Sequence, residues 1–350
     1  MASRGALIGV DITSAAVKLV ELRRAGDTYR VDSYAVRPLR EQAVVERRIH
    51  DMDEVVDALT RAVRQARPYV RKAVVAVPAG AAITKTLTLP ASLSDDEIES
   101  RIQLDSDTHI PFPFSDVAFD FQRLGLNARD PDQEDILLVA CRQQDIDRLT
   151  DAVVQSGLAP AAVDVETFAM ERAFTEVHRQ LPVFGGEGDG VALVSVGATM
   201  STFHVLCQGR VVYSRDTAFG GRQLTEEIRN RYGLSLDEAG LAKKRGGLPD
   251  DYRDGVLAPF LDTLVQQVGR SLQLYAATGC QQPVRHMVLA GGSSVLPGLA
   301  DYLARDNGLA VSIANPLARM RVNRRLDVQA LSCDAPAMLT ACGLAMRAWP

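Results

Sequence analysis

The sequence predicts an α/β protein built from two related domains. Three observations predict it: a strand–turn–strand–turn–strand unit that occurs twice, an apolar strand that ends in a Gly-Gly corner, and amphipathic helical segments between them. The first unit runs Leu7–Ile12, a turn over 13–16, a strand over 17–22, a turn at Gly26-Asp27 and a third apolar run over 29–35. The second has apolar strands over 192–196, 202–206 and 211–213, with turns at 197–200 and at Gln208-Gly209. The first turn of each copy is small or hydroxylated, Thr13-Ser14-Ala15-Ala16 and Gly197-Ala198-Thr199-Met200. Such turns let backbone N–H groups approach an oxyanion, and the hydroxyls add donors. Two of them facing each other would make a phosphate clamp between the domains. Either copy taken alone is equally a plain β-meander.

The remaining elements follow in chain order. Residues 51–66 are amphipathic, with Met52, Val55, Val56, Leu59 and Val63 on one face, and 74–77 form a buried strand ended by Pro78. A separate unit begins with the strand over 84–89. In it Ser94-Asp95-Asp96-Glu97 is a capping box that opens a helix toward Asp107, and Ile110-Pro111 stops that helix. A strand over 136–141 and a helix over 145–156, capped by Gly157, complete what reads as an inserted β-α-β-α segment over 81–163. Residues 181–190, with Pro182 and a run of glycines, read as the linker between the halves. A long helix over 257–278 turns Phe260, Leu261, Leu264, Val265, Val268 and Leu272 inward. The Gly-Gly corner is Leu289-Ala290-Gly291-Gly292-Ser293, placed so that a planar base or ribose could lie on the backbone; Gly-Gly is also a common turn. Near the C-terminus Ala337, Ala341 and Ala345 recur every fourth residue, a row that lets two helices cross closely.

Composition excludes several classes. The 350 residues suffice for two domains with real cores, and a net charge of −5 gives no electrostatic footprint for nucleic acid. The five cysteines, Cys141, Cys207, Cys280, Cys333 and Cys342, are scattered without a C-x-x-C pair, which reads as reduced thiols of a cytoplasmic protein. No secretory leader and no apolar run of the ~20 residues a membrane helix needs is seen, so membrane association would have to come through a partner.

The three strand elements together resemble the actin-like ATPase superfamily, which includes actin, the DnaK-type chaperones, FtsA and MreB. Gly9-x-Asp11-x-Thr13-Ser14 with Lys18 looks like its first phosphate motif, 194–199 like the second, and 289–293 like the adenosine motif. Within it the chain resembles the PilM family of type IV pilus assembly. That resemblance is carried by QLDSDTHIPFPF (103–114), VDVETFAMERAF (163–174) and the segment over 219–247 that begins FGGRQLTEEIRNRYG. It implies a duplicated actin-like (ribonuclease H-like) fold with an FtsA-type inserted subdomain. The expected division is a first core subdomain over 1–80 (with 164–184 and 333–350), the insertion over 81–163, a second core subdomain over 185–218 (with 283–332) and an outer helical part over 219–282.

The resemblance also implies ATP with Mg²⁺ in the cleft. Asp11 would hold Mg²⁺ through water, or else be an Asx-turn carboxylate. Lys18 would reach a phosphate, or be a surface lysine on a strand. Thr13, Ser14, Ser195, Gly197, Ala198 and Thr199 would surround the phosphates, and Gly291, Gly292 and Ser293 the adenosine. Gly220-Gly221 could aim N–H groups at the nucleotide or simply start a helix, and Lys243 could flank the base or belong to a solvated basic turn. Glu166 is the candidate for positioning an attacking water, its alternative being a carboxylate favourable to a helix start. Two departures bear on turnover: Ser195 stands where relatives carry an aspartate, and Gly240 where many carry a ribose-binding glutamate, with Glu238 nearby. ATP hydrolysis is therefore expected to be weak or absent.

The implied partner is the N-terminal cytoplasmic tail of a PilN-like inner-membrane protein, which would hold this cytoplasmic chain at the membrane without inserting it. Other pilus assembly proteins, PilO and pilus ATPases among them, stay open as further partners. The tail's groove is expected around Ile83, Leu87, Leu89, Ile98 and Ile102; a polymer contact at the insertion is the alternative. A slow ATPase, kinase or phosphatase of the same superfold and a nucleotide-free scaffold are the other functional readings.

Overall fold

A computed structural model describes residues 5–182, 189–279 and 282–347. In it Leu7–Ile12 pairs antiparallel with Ala16–Ala25, which pairs antiparallel with Thr28–Pro38. On its other side Leu7–Ile12 runs parallel to Lys72–Val77, and that strand parallel to Ala159–Val165. The second sheet repeats this order with Gly190–Val196, Ser201–Cys207, Arg210–Thr217, Val284–Ala290 and Ala310–Ile313. The duplication read from the hairpins is thus a duplication of whole five-strand topologies. A short strand, Arg321–Val322, adds a sixth member to the first sheet.

Both faces of each sheet are covered, and so their central strands are almost continuously apolar. On Ala16–Ala25, Val17 and Leu19 enter one core while Val20 and Leu22 enter another. The outer face of the first sheet packs on the helix Met52–Ala66 through Val55, Leu59 and Val63; Asp51 caps that helix by accepting the Glu54 N–H at 3.0 Å. The outer face of the second packs on Ala258–Ala277 through Leu261, Leu264, Val265 and Val268. Between the sheets lies a shared core holding Met170, Phe174 and Val177 of the helix Glu166–His178 together with Ala341, Cys342 and Ala345 near the C-terminus.

The C-terminal segment starts as a 3₁₀ turn over Ala335–Ala337 and becomes α-helical only over Leu339–Met346. Its close crossing is made by a residue outside the alanine row. A Cβ on Gly343 would lie 1.6 Å from the Ala169 carbonyl oxygen, and one on Gly9 would lie 1.9 Å from that of Ala341. Strand, C-terminal helix and inter-domain helix therefore touch main chain to main chain.

The inserted unit has its own three-stranded antiparallel sheet in the order Ile83–Pro90, Gln133–Arg142, Val117–Leu126. Helix Asp95–Leu104 covers it from the capping box at Ser94 and Glu97, closing a small core of Ile98, Ile102, Ile136 and Leu138. The helix ends at Leu104 and a single further turn, Ser106–His109, follows. The separate sheet stops at Arg142. The helix Gln143–Gln155 sends Leu149, Ala152 and Val153 into the first domain's core, and Ala159–Val165 is that domain's edge strand. The segment over 143–163, grouped with the insertion by chain order, packs with the first domain for this reason. Most of the linker over 181–190, and Cys280, lie outside the described residues.

One buried carboxyl gives the fold a pH dependence. Glu21 is fully buried; its Oε2 accepts the Ser33 hydroxyl at 3.0 Å and the Tyr69 N–H at 2.9 Å, while Oε1 has no partner. Burial raises its pKa above the ordinary carboxylate value, outweighing the lowering effect of those hydrogen bonds. Between the unfolded pKa, about 4.3, and the raised folded one, the native state binds more protons than the unfolded state. Stability is fullest below that window, falls as pH rises through it and is level above it. Denaturant melts at stepped pH should show this downward contribution, and Glu21→Gln should make the slope less negative. An unchanged slope in Glu21→Gln would remove Glu21 as its source.

Candidate functional site between the two hairpins

The cleft is framed by the two repeated turns. In the first, Thr13 closes the hairpin: its N–H and hydroxyl both donate to the Ala16 carbonyl, at 3.0 and 2.9 Å, and its Oγ1 accepts the Ala16 N–H at 3.2 Å. Ser14 is left at the tip, and its hydroxyl lies 3.0 Å from that of Thr199 at the tip of the second turn. One hydroxyl from each domain thus meets across the cleft. Behind the first turn Asp11 and Lys18 are register partners on neighbouring strands, and the Lys18 ammonium donates to Asp11 Oδ2 at 2.9 Å. Both side chains are mostly buried, so the pair is largely shielded from solvent.

The second turn is held by its surroundings. Gly197 N–H donates to the Met200 carbonyl at 3.0 Å, while the Gly221 and Arg222 N–H groups donate to the Gly197 and Ala198 carbonyls at 2.9 and 2.7 Å. A Cβ on Gly220 would lie 2.6 Å from the Ala198 oxygen. The start of helix Gly221–Tyr232 therefore spends these N–H groups on the turn, and the glycines permit the approach. Ser195 sits in the strand before the turn, opposite Thr202. Lys243, on helix Leu236–Arg245, points inward and donates to the Gly221 carbonyl at 2.7 Å and the Thr225 hydroxyl at 2.6 Å. Burial, aided by the neighbouring Lys244, lowers its pKa to about 8. Glu238 instead caps its own helix through Ser235. A Cβ on Gly240 would meet only the Thr225 methyl at 3.9 Å.

The Gly-Gly corner joins three parts. Gly291 has φ +88°, and its N–H donates to the Pro336 carbonyl at 2.8 Å. A Cβ there would lie 2.5 Å from the Val196 oxygen. Ser293 donates its N–H to Val196 at 3.0 Å and its hydroxyl to Gly197 at 3.3 Å. Beside them Gly292 is open, with no heavy atom within 4 Å of a built Cβ. The corner and the second turn are one assembly.

Glu166 lies at the start of the inter-domain helix and pairs with Arg47. Burial raises its pKa, Arg47 opposes this, and the Asp11 charge adds to it, which places Glu166 and Asp11 in one electrostatic site. Sequence reading missed Arg47. It sits in the tight turn between Val44–Val45 and Arg48–Ile49, where Glu46 and Arg47 both have positive φ. From there it crosses to the second domain, donating to Thr202 Oγ1 at 3.0 Å with Asp216 at 3.9 Å. His204, two residues on from Thr202 along the same strand, has its pKa lowered to about 4, chiefly by burial, so it is neutral in ordinary buffers. Asp334 was missed too: Lys18 and Lys244 lie near enough to stabilise its charge, although burial still raises its pKa. Neither residue carries a local sequence signal, because chain segments far apart bring them to the cleft. Among the described residues, no group of three or more His, Cys, Asp or Glu side chains could by itself hold a metal.

The expected groove residues divide. Leu87, Leu89 and Ile102 line a cavity of about 380 Å³ that also touches Thr86, Thr88, Arg101, Asp105 and His109. Ile98 is sealed in the small core beneath it, and Ile83 lies at the strand's start, outside the cavity lining. The strand Ile83–Pro90 is an edge of its sheet.

Two sheets sharing one five-strand order, helices crossing between them and paired turns facing each other define a protein of the actin-like fold. Its structure is similar to Ta0583, an archaeal actin homologue solved in complex with ADP, with a TM-score of 0.52 at 10% identity over 98% of this chain and 99% of that one. It is also similar to the ethanolamine utilization protein EutJ from Carboxydothermus hydrogenoformans, with a TM-score of 0.57 at 14% identity over 97% and 88%. Residues 9–349 match the family model of the type IV pilus assembly protein PilM, and the chain belongs to that family. A PilM–PilN type IV pilus biogenesis complex matches with a TM-score of 0.79 at 24% identity, over 99% of this chain and 100% of that one. No helix among the described residues is long and apolar enough to cross a membrane.

Proposed function

We propose that this pilus assembly factor binds ATP with Mg²⁺ between its two hairpins and recruits the N-terminal cytoplasmic tail of a PilN-like membrane protein in the groove of its inserted subdomain. The observation that carries the nucleotide reading is the Ser14–Thr199 contact, because it sets two small, donor-rich turns against each other at the mouth of one cleft. Phosphates entering there would separate those hydroxyls and compete with Asp11 for the Lys18 ammonium. The open backbone at Gly292 would admit the adenosine.

The residues fit Mg²⁺ in a limited way. Asp11 is a single carboxylate with Oδ2 already engaged by Lys18, which suits a Mg²⁺ held mainly by phosphates and water. Ser195 adds no carboxylate, and Glu166 is tied to Arg47. Binding is therefore favoured over turnover. Lys18→Ala removes a charge-assisted contact of about 1.5–3 kcal/mol, so ATP affinity should fall at least tenfold. In the same preparation, phosphate release should stay far below the common enzyme rate of about 10 s⁻¹. Unchanged affinity would reject the site, and fast turnover abolished by Glu166→Ala would make the chain an ATPase.

The tail reading rests on the cavity beside an edge strand. An extended peptide can pair its main chain with that edge and seat apolar side chains against Leu87, Leu89 and Ile102. Recruitment of this kind would place the chain at the inner membrane without a spanning segment of its own.

A further inference from the structure

We propose that the first domain carries a separate surface for the phosphate groups of an anionic lipid bilayer, centred on Tyr69. The starting observation is a second cavity of about 380 Å³, lined by Arg64, Arg67 and Arg71 with Thr60, Val63, Pro68 and Ser156. It shares no lining residue with the tail groove. Arg64 and Arg67 lie at the end of helix Met52–Ala66, and Arg71 precedes the strand Lys72–Val77. None of the three forms a salt bridge among the described residues.

The positive charge continues past the cavity. Tyr69, between Arg67 and Arg71, is 51% exposed, and the guanidinium groups of Arg23 and Arg325 lie 5.8 and 5.9 Å from its ring centre. Arg23 is the register partner of Arg30, and Arg30 that of Arg321, so three arginines stand side by side across neighbouring strands. Two buried carboxyls lie beneath this row: Asp32 bonds both Arg23 and Arg30, and Glu21 accepts the Tyr69 N–H near Arg23. A chain with net charge −5 thus concentrates cations on one face.

Two features favour a bilayer over a single dissolved anion. The arginines are spread along the helix end, the Tyr69 loop and the sheet edge, so they present many contacts and do not converge on one point. An exposed tyrosine ringed by cations also has the amphipathic character that suits the headgroup level of a membrane. Basic residues near an anionic surface each raise binding about fivefold, and salt screens the effect.

Sedimentation with vesicles tests this on the full chain alone, without tail peptide or nucleotide, so its outcome is independent of the proposed function. The chain should sediment with phosphatidylcholine vesicles containing roughly one-third phosphatidylglycerol, and not with pure phosphatidylcholine. Raising the salt to about 0.5 M should release it. The triple variant Arg64→Gln, Arg67→Gln, Arg71→Gln should lose roughly a hundredfold in partitioning. A variant with the same charge change elsewhere, Arg129→Gln, Arg253→Gln, Arg270→Gln, should keep wild-type binding. Circular dichroism should show all of them folded. Equal binding to neutral vesicles, or no wild-type binding at low salt, overturns the proposal whatever the variants do. Saturable binding of inorganic phosphate without vesicle binding reassigns the cavity to a soluble anion, and binding of a nucleic acid in place of vesicles also refutes a lipid surface.

Discussion

Gly343→Ala is expected to unfold the molecule or to lower its melting temperature more than any other single-methyl change. The added Cβ would sit 1.6 Å from the Ala169 oxygen, 2.4 Å from its carbonyl carbon and 3.0 Å from its Cα. All three are main-chain atoms, so no side-chain rotation relieves the clash and the two inter-domain helices must move apart. Overpacking ordinarily costs about 1–3 kcal/mol, and a clash between two backbones belongs above that range. Ala169→Gly should fail to rescue the variant, because it leaves the offending carbonyl in place. As a control, Gly240→Ala meets only one methyl at 3.9 Å and should be neutral or slightly stabilising, since alanine is the better helix former. Thermal melts of the three variants decide the matter. Near-wild-type stability of Gly343→Ala would show that the helices have room to separate.

Asp164→Ala is expected to be the most damaging loss of a charged side chain. Asp164 is buried on the edge strand of the first sheet and pairs with Arg172 of the inter-domain helix and, at 3.0 Å, with Arg347. Its Oδ1 also accepts the Val165 N–H at 2.8 Å, and Arg172 reaches on to the Gly343 carbonyl at 3.1 Å. One carboxylate therefore ties together strand, inter-domain helix and C-terminal segment. Removing one member of a buried pair typically costs about 3–5 kcal/mol. Both arginines are about one-third exposed and can recover some hydration, which brings the expected loss to roughly 2–3 kcal/mol. Asp164→Asn keeps the acceptor and loses the charge, so it should fall between. Denaturant titrations check this, and equal stability of Asp164→Ala and wild type would show that the network contributes nothing.

Much of this architecture was legible in the sequence because strand signals are local. The apolar runs in 7–22 and 192–206, with small turns between, marked two hairpins that the structure contains; their register, with Asp11 opposite Lys18, comes from the structure. What chain order could not show is which sheet a strand joins. Ala159–Val165 comes after the inserted sheet and the helix Gln143–Gln155 yet pairs with Lys72–Val77, and Pro160 sits at the irregularity that an edge strand tolerates. The C-terminal alanine row pointed to a close crossing but hid its contact residue, because Gly343 within a helix reads as a helix weakness until its neighbour is known. At the cleft, Thr13, Ser14 and Gly291 were marked by turn chemistry. Arg47 and Asp334 were not, since each depends on a fold that brings distant segments together.

The groove offers the most direct test of the account. Calorimetric titration of the chain with a synthetic N-terminal tail of the proposed PilN-like partner, set beside sedimentation of the same sample with ATP, separates recruitment from polymerisation. Saturation at one tail per chain with no pelleted polymer is expected. Loss of binding is also expected in Arg101→Trp, which adds bulk at the cavity from an exposed helix position. Absence of binding heat, with assemblies that pellet in growing proportion as protein concentration rises, would contradict this and make the inserted subdomain a polymer contact.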